Sequence, residues 1–432
     1  MTAAVQRTFS SLAIPNYRRY FTGQVISISG NWMQTVAEMW LIVQLTGSGV
    51  SVGLTAGLQF LPVLLFGAWG GLLADRLPKR QLLMLTQALM ALPALTLWVL
   101  YERGTVQVWM VFALVFVRGL VNAFDNPARQ SFVVELVGGD RVVNAVSLNS
   151  VVVHTSRIAG PALAGAVIAT VGVGTCFLVN TLSFAAMLVA LWRMNPAELR
   201  VAAPVARARG QLRTAFAHVR STPGLLIPLA MMAAIGTLSY NFQVLLPLIA
   251  RFDWHGGAST YAALTVAMGV GSVSGALASS ARNRVTPRLL VIAAMGFGVA
   301  ELAVAAAPVL SLQLVGLALL GASSVTFAAT TNSLLQLSVE PALRGRVMSL
   351  YTVVFLGSTP IGAPLVGWMA QVAGPRSGLL LGAIAALATG LVARIAFARA
   401  DVAVSNPPSP CEAQGRRHAP SASRPVRAAA SA

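Results

Sequence analysis

"GGLLADRLPKRQLL", residues 70–83, places Asp75, Arg76, Lys79 and Arg80 within six positions, between two long apolar runs. Only 10% of the 432 residues are charged and 56% are hydrophobic, with a mean hydropathy of +0.74. A water-soluble domain of this length cannot bury so much apolar surface, because interiors grow slowly with size. The runs on either side are each about 20 residues long, enough to cross a bilayer. The charged stretch is therefore a turn between two crossings, and the same rhythm continues outward in both directions. Spans are predicted at 20–45, 51–73, 81–101, 106–124, 142–170, 174–194, 224–249, 258–280, 288–307, 310–337, 347–372 and 376–399. The expected fold is an all-α polytopic membrane protein with twelve transmembrane helices.

The net charge of +18 is placed, not spread. If the spans alternate sides, starting inside, 25 of the 30 basic residues face one side, among them Arg7, Arg18, Arg19, Arg76, Lys79, Arg80 and Arg129. Three, Arg103, Arg251 and Arg376, face the other, while Arg118 and Arg157 lie within spans. That asymmetry predicts both termini in the cytoplasm and a multi-pass protein of the inner or plasma membrane. It also argues against nucleic acid, which would need a basic patch on a soluble module. The first span is expected to be retained, having no small-residue cleavage site after it. Cys176 and Cys411 fall on opposite sides and cannot pair.

Residues 195–222 interrupt the rhythm at mid-chain. Within them "QLRTAFAHVRST" has Leu212, Phe216 and Val219 at helical spacing beside Arg213 and Arg220, the pattern of a short helix on a membrane surface. On either side the chain repeats. Gly71 and Asp75 return as Gly275 and Ser279, an offset of 204, and Glu135 and Arg141 as Glu340 and Arg346, an offset of 205. Gly160-Pro161 with Gly165 is echoed by Gly362, Pro364 and Gly367. Two like-oriented halves joined by an inner loop form a parallel repeat. The predicted organisation is a six-helix bundle over 1–195, a cytoplasmic linker over 196–222, a second six-helix bundle over 223–400 and a disordered tail over 401–432.

With "GGLLADRLPKR" after span 2, "FDNPARQSFVVELV" after span 4 and "RIAGPALAGAV" in span 5, the chain resembles the major facilitator superfamily over about residues 10–400. Within it the likeness is to the branch of enterobactin-exporter-like proteins and drug:proton antiporters. The resemblance implies that Gly71, Asp75, Arg76, Lys79 and Arg80 form the family's loop motif, with Pro78 in place of a usual glycine. In the family the acid faces the inner end of span 11, and the basic residues reach an acid at the foot of span 4. Asp75 is then a latch holding the inner mouth shut, and Lys79 is expected to pair with Asp125. Helix ends with free N–H groups favour such a carboxylate. The purely topogenic alternative explains the basic residues but not an acid on the positive side. The resemblance further reads Gly160, Pro161 and Gly165 as an antiporter-type hinge; tight packing of small residues is the alternative.

Span 1 carries Gln24, Asn31, Gln34 and Glu38 on one helical face. An acid at that depth costs a few kcal/mol unless it faces a partner or a cavity, so Glu38 is either a structural ion-pair member or a proton carrier. Arg118, Asn122 and Asp125 share a face of span 4, and His154 and Arg157 a face of span 5. Arg118 is similar to the family's span 4 arginine. Either arginine is able to offset Glu38 or to bind an anion, which favours anionic or neutral amphipathic cargo over cationic drugs. Glu301 in span 9 is expected to be a packing or lipid-side residue. Cavity candidates are Asn31, Trp32, Gln34, Trp40, Gln59, Asn122, Tyr240, Asn241, Gln243, Phe327 and Asn332, with Trp and Tyr also suited to anchoring at the interface.

Together these predict proton-coupled efflux of small amphipathic molecules by alternating access in a monomer, with protons, cargo and the lipid bilayer as partners. An importer or uniporter of the same fold is the alternative. No phosphate-binding loop and no His/Cys/Asp cluster of metal-ligand spacing is present, so neither an ATP-driven pump, a membrane enzyme, a cofactor nor a metal is expected.

Overall fold

Helix ends follow from local chemistry. The first long helix, α1 (Pro15–Thr46), starts with proline at its first position and ends at Gly47, whose φ of 57° is the left-handed conformation glycine adopts without a Cβ penalty. Ser48 then accepts a hydrogen bond from the Ser51 N–H at 3.2 Å and caps α2 (Gly49–Arg76). The computed structural model describes residues 9–200, 218–282 and 285–405, without the side chains of residues 68, 75, 140, 341, 342 and 400–405.

Among the described residues the chain continues through α3 (Lys79–Glu102), α4 (Val108–Val137), α5 (Val142–Thr170) and α6 (Val173–Trp192). The element α7 is interrupted: Pro223–Leu238, then Phe242–Leu248, then one π turn over Ile249–Asp253. Next come α8 (Ala258–Ser280), α9 (Pro287–Ala306) and α10 (Leu310–Leu337). The element α11 is broken into Pro341–Gly357 and Thr359–Ala373, and α12 (Pro375–Ser405) ends the series.

Eleven of these helical segments are long and apolar enough to cross a membrane. The exception is α1, whose 32 residues are ample in length. Its inward face carries Gln24, Ser27, Gln34 and Glu38, all buried, and these depress its apolarity. Most predicted spans agree with helices to within a few residues. The exception is span 4, predicted to end at 124, where α4 runs on to Val137 straight through Pro127. The stretch Asp125–Arg129 looks like loop but is tied inside the helix by an (i, i+4) ion pair. The predicted surface helix at 211–222 lies mostly outside the described residues, as does the tail from 406.

Two seams join α1–α6 to α7–α12. In one, α2 crosses α11; in the other, α5 crosses α8. The first is made by glycines four residues apart, Gly49, Gly53 and Gly57. A Cβ on Gly53 would run into the Ala363 carbonyl, and one on Gly49 into the Gly367 carbonyl. Ser48 Oγ donates to Gln371 Oε1 at 2.7 Å beside them. Backbone thus meets backbone, as small-residue motifs permit.

These seams occupy one end of the bundle. There the buried cores merge into one cluster that includes Met39, Ile42, Val52, Leu245, Ile249 and Tyr261. At the other end, where Lys79, Arg80 and Arg129 sit, the core of the first six helices is a separate cluster. Tyr17, Tyr20, Leu83, Phe132 and Leu191 belong to it, and no residue of α7–α12 does. The molecule is closed at the end opposite its basic residues and parted at the basic end.

Candidate functional site

Between the two sets of helices lies a cavity of about 300 Å³. Asn31, Trp32 and Thr35 of α1 line it, with Gln59 and Phe60 of α2, Arg118, Asn122 and Asp125 of α4, and Gln243 of α7. Five of the predicted cavity residues, Asn31, Trp32, Gln59, Asn122 and Gln243, are therefore brought together. The volume falls at the lower end of the range for sites that hold small organic molecules. Gln59 Oε1 and Gln243 Oε1, one from each set of helices, are buried and accept no hydrogen bond from the described residues; Arg118 Nε is likewise unpartnered. Buried polar atoms are nearly always satisfied, so this cluster is a set of contacts awaiting a ligand or water.

The other cavity candidates serve the frame. Gln34 is fully buried; it accepts from Asn180 Nδ2 and donates to Glu38 Oε1 at 2.7 Å. Phe327 is core, and Trp40 stacks on Tyr261 at 6.3 Å between ring centroids, closing the sealed end. Tyr240 lies in the break of α7, donates to the Ser324 carbonyl at 2.6 Å and packs against Phe242, Phe297 and Phe355. Asn241 Nδ2 donates to the Thr237 carbonyl at 2.7 Å while its buried Oδ1 has no partner among the described residues, and Asn332 accepts from Gln336.

Glu38 is wholly buried, and Arg118 Nη2 donates to its Oε2 at 2.5 Å. Of the two arginines weighed as its counter-charge, Arg118 fills the role. Arg157 instead lies over the Trp32 ring, 5.4 Å from the centroid. His154, one turn before it, has a buried Nδ1 with no hydrogen-bond partner among the described residues.

The expected pair between Lys79 and Asp125 does not form. Lys79 Nζ donates to Glu135 Oε1 at 2.5 Å, while Asp125 accepts from Thr86 at 2.6 Å, Gln87 at 2.8 Å and Arg129 Nε. The reason is the length of α4: its last turn brings Glu135 over the start of α3, whereas Asp125 lies too deep. Arg80 caps the end of α6, donating to the Leu191 and Trp192 carbonyls at 2.8 and 3.0 Å. Lys79 and Arg80 thus brace the first six helices to one another. Arg76 is exposed at the end of α2, Gly71 is half-buried one turn earlier, and the side chain of Asp75 lies outside the described residues.

Gly160 backs onto Trp32 and the Ser29 carbonyl, which a Cβ would meet, and Gly165 onto Ala262 of α8 across the second seam. Helix α5 continues unbroken past Pro161. Of the two expectations for Glu301, the structure places it in packing: it is fully buried, not lipid-facing. Gly382 of α12 leaves room for its carboxyl group, and the nearby Ser239 hydroxyl is committed to the Gly382 carbonyl at 2.8 Å. Neither carboxyl oxygen has a partner among the described residues. Glu301→Met should therefore raise stability by about 1–3 kcal/mol, since an unsatisfied polar group is exchanged for an apolar one of similar size. A thermal midpoint of the purified protein that stays level or falls counts against this.

Sequence reasoning missed Asn180, Glu135 and the seam glycines. Only the last had a readable signal, the Gly-x3-Gly-x3-Gly pattern at 49–57.

A family model described as transmembrane secretion effector matches residues 6–414. The chain is 24% identical to macrolide efflux protein A of Streptococcus pyogenes, covering 84% of this chain and 91% of that one. It is 25% identical to the enterobactin exporter of Citrobacter koseri, over 88% and 91% of the two chains. Among solved structures, that of nucleoside transporter NupG matches with a TM-score of 0.70 at 11% identity, covering 88% of this chain and 99% of that one. At that identity the likeness shows the fold.

Proposed function

The chain belongs to the transmembrane secretion effector family of major facilitator transporters, and from that premise we propose that it exports small amphipathic molecules in exchange for protons. The observation that carries this is the cavity lined by α1–α4 and closed over by Gln243 of α7, with unpartnered polar atoms from both sets of helices and a seal at one end only. In this reading α1 is a twelfth crossing, both termini and the basic end are cytoplasmic, and residues 1–195 and 223–400 are the two moving bodies. The structure is then the state open to the cytoplasm. Relatives that export a siderophore or a macrolide support the outward direction.

Glu38 is the proton carrier in this scheme. A proton on its carboxylate cancels half of the Glu38–Arg118 pair, and Arg118, whose other edge faces the cavity, must then find another counter-charge. Proton arrival is thereby linked to a change in the cavity wall. One proton moving through 100 mV supplies about 2.3 kcal/mol, more than the roughly 1.4 kcal/mol that a tenfold gradient requires. Asp75, as a latch, acts in the opposite state, when the basic end closes.

Everted vesicles test the proposal. Energised to an acid interior and offered a panel of dyes, antibiotics and siderophores, vesicles with the protein should take up at least one compound and lose part of their proton gradient as they do. Uptake that leaves the gradient untouched would favour the uniporter.

A further inference from the structure

The charges that line the cavity pair off, and one cation beside it does not. Arg118 is matched by Glu38 and Arg129 by Asp125, each within hydrogen-bonding distance. Arg157 has neither an ion pair nor a hydrogen bond among the described residues. It is exposed midway along α5, a helix of a membrane-spanning bundle, where a cation facing lipid is expensive. Its guanidinium lies over Trp32, which lines the cavity, and its backbone carbonyl backs onto Gly269 of α8 across the second seam. The charge therefore points into the space between the two sets of helices, not into lipid. Beside it, His154 holds an unpartnered buried ring nitrogen.

We propose that Arg157, with His154 beside it, is an anion subsite of the cavity, and that the cargo is an amphipathic monoanion, an aromatic carboxylate in its simplest form. This rests on the reading of the cavity as a cargo site. The chemistry is complementary on each count. One carboxylate neutralises the one unmatched charge, and the planar guanidinium binds it through two parallel hydrogen bonds. Trp32 beneath the guanidinium is aromatic, as is Phe60 in the cavity lining, and both suit a ring. The gain extends to energetics. Exporting an anion from a negatively polarised cell adds the membrane potential acting on that charge to whatever the proton supplies.

The test compares two probes of one shape, 2-naphthoate and its neutral amide, 2-naphthamide, titrated calorimetrically into the purified full-length protein. The wild type should bind the naphthoate at least about tenfold more tightly, as a charge-assisted contact requires. Arg157→Gln should bring the naphthoate down to the level of the naphthamide, leaving naphthamide binding unchanged and the thermal midpoint no lower, and Arg157→Lys should restore part of the difference. Equal weakening of both probes in Arg157→Gln, no preference in the wild type, or a preference that survives the substitution each overturns the subsite. Vesicle uptake separates this from the broader reading. Proton-linked export of a neutral or cationic dye by a protein with no naphthoate preference removes the subsite and leaves efflux standing. Arg157-dependent naphthoate binding without export of any compound does the reverse.

Discussion

Glu38→Ala should destabilise the protein by about 3–5 kcal/mol and abolish proton-linked export. The Arg118 guanidinium is 7% exposed and Glu38 wholly buried, so removing the carboxylate strands a cation in a medium that solvates it poorly. The Nε of Arg118 already lacks a partner, and the only other contact of the guanidinium among the described residues is a long, uncharged one, from Nη1 to Thr35 Oγ1 at 3.5 Å. Removing both charges is a different case. Glu38→Met with Arg118→Met replaces a buried ion pair by apolar side chains of similar reach, which is commonly neutral or stabilising. The double variant should therefore recover most of the thermal midpoint while export remains lost. That split separates a structural pair from a working one: recovery of both stability and proton-linked export in the double variant would make the pair a packing device. A loss below about 1 kcal/mol in the single variant would mean that cavity water solvates Arg118.

Gly53→Val should stop transport by a different route. Any side chain there must displace the Ala363 carbonyl, which is backbone and cannot turn aside. Helices α2 and α11 are then forced apart along the whole Gly49–Gly57 face, and the sealed end stays ajar. Overpacking of this kind costs about 1–3 kcal/mol, so the protein should still fold. A cysteine replacing Tyr261, which stacks on Trp40 at that end, should be shielded from a membrane-impermeant maleimide in the parent and labelled in the Gly53→Val background. Gly296→Ala supplies the control. Nothing lies within 4 Å of the Cβ it would carry, so it should leave transport intact and add up to about 1 kcal/mol from helix propensity. Normal transport by Gly53→Val would show that the seam tolerates more separation than its geometry suggests.

What the chain revealed in advance follows from where each signal lives. Apolar length is a local property, so the spans were legible, and so was the polar stripe on α1, because helical period puts Gln24, Asn31, Gln34 and Glu38 on one face. Helix α4 was cut short because Asp125, Pro127 and Arg129 are loop-forming residues by composition; what keeps them helical is Thr86 and Gln87 on a neighbouring helix. That misjudged end then concealed Glu135 as the partner of Lys79. The α2–α11 seam depends on residues about 310 positions apart in the chain, Gly53 and Ala363, and small side chains leave no hydrophobic period to count. Cavity residues divided for the same reason. Gln59 and Gln243 look no different in sequence from Gln34, yet Asn180 claims Gln34 for the frame and nothing claims the other two.

The self-contained core at the basic end has a mechanical consequence. Tyr20, Phe132 and Leu191 interlock among the first six helices without any help from the rest, so under the proposed alternating access that end would swing as a stiff block and keep its interior from water. Resistance to the swing then resides in two narrow contact lines instead of in the bulk. Backbone-on-backbone lines have few side-chain rotamers to rearrange, and a carrier built this way should turn over quickly and slow little on cooling.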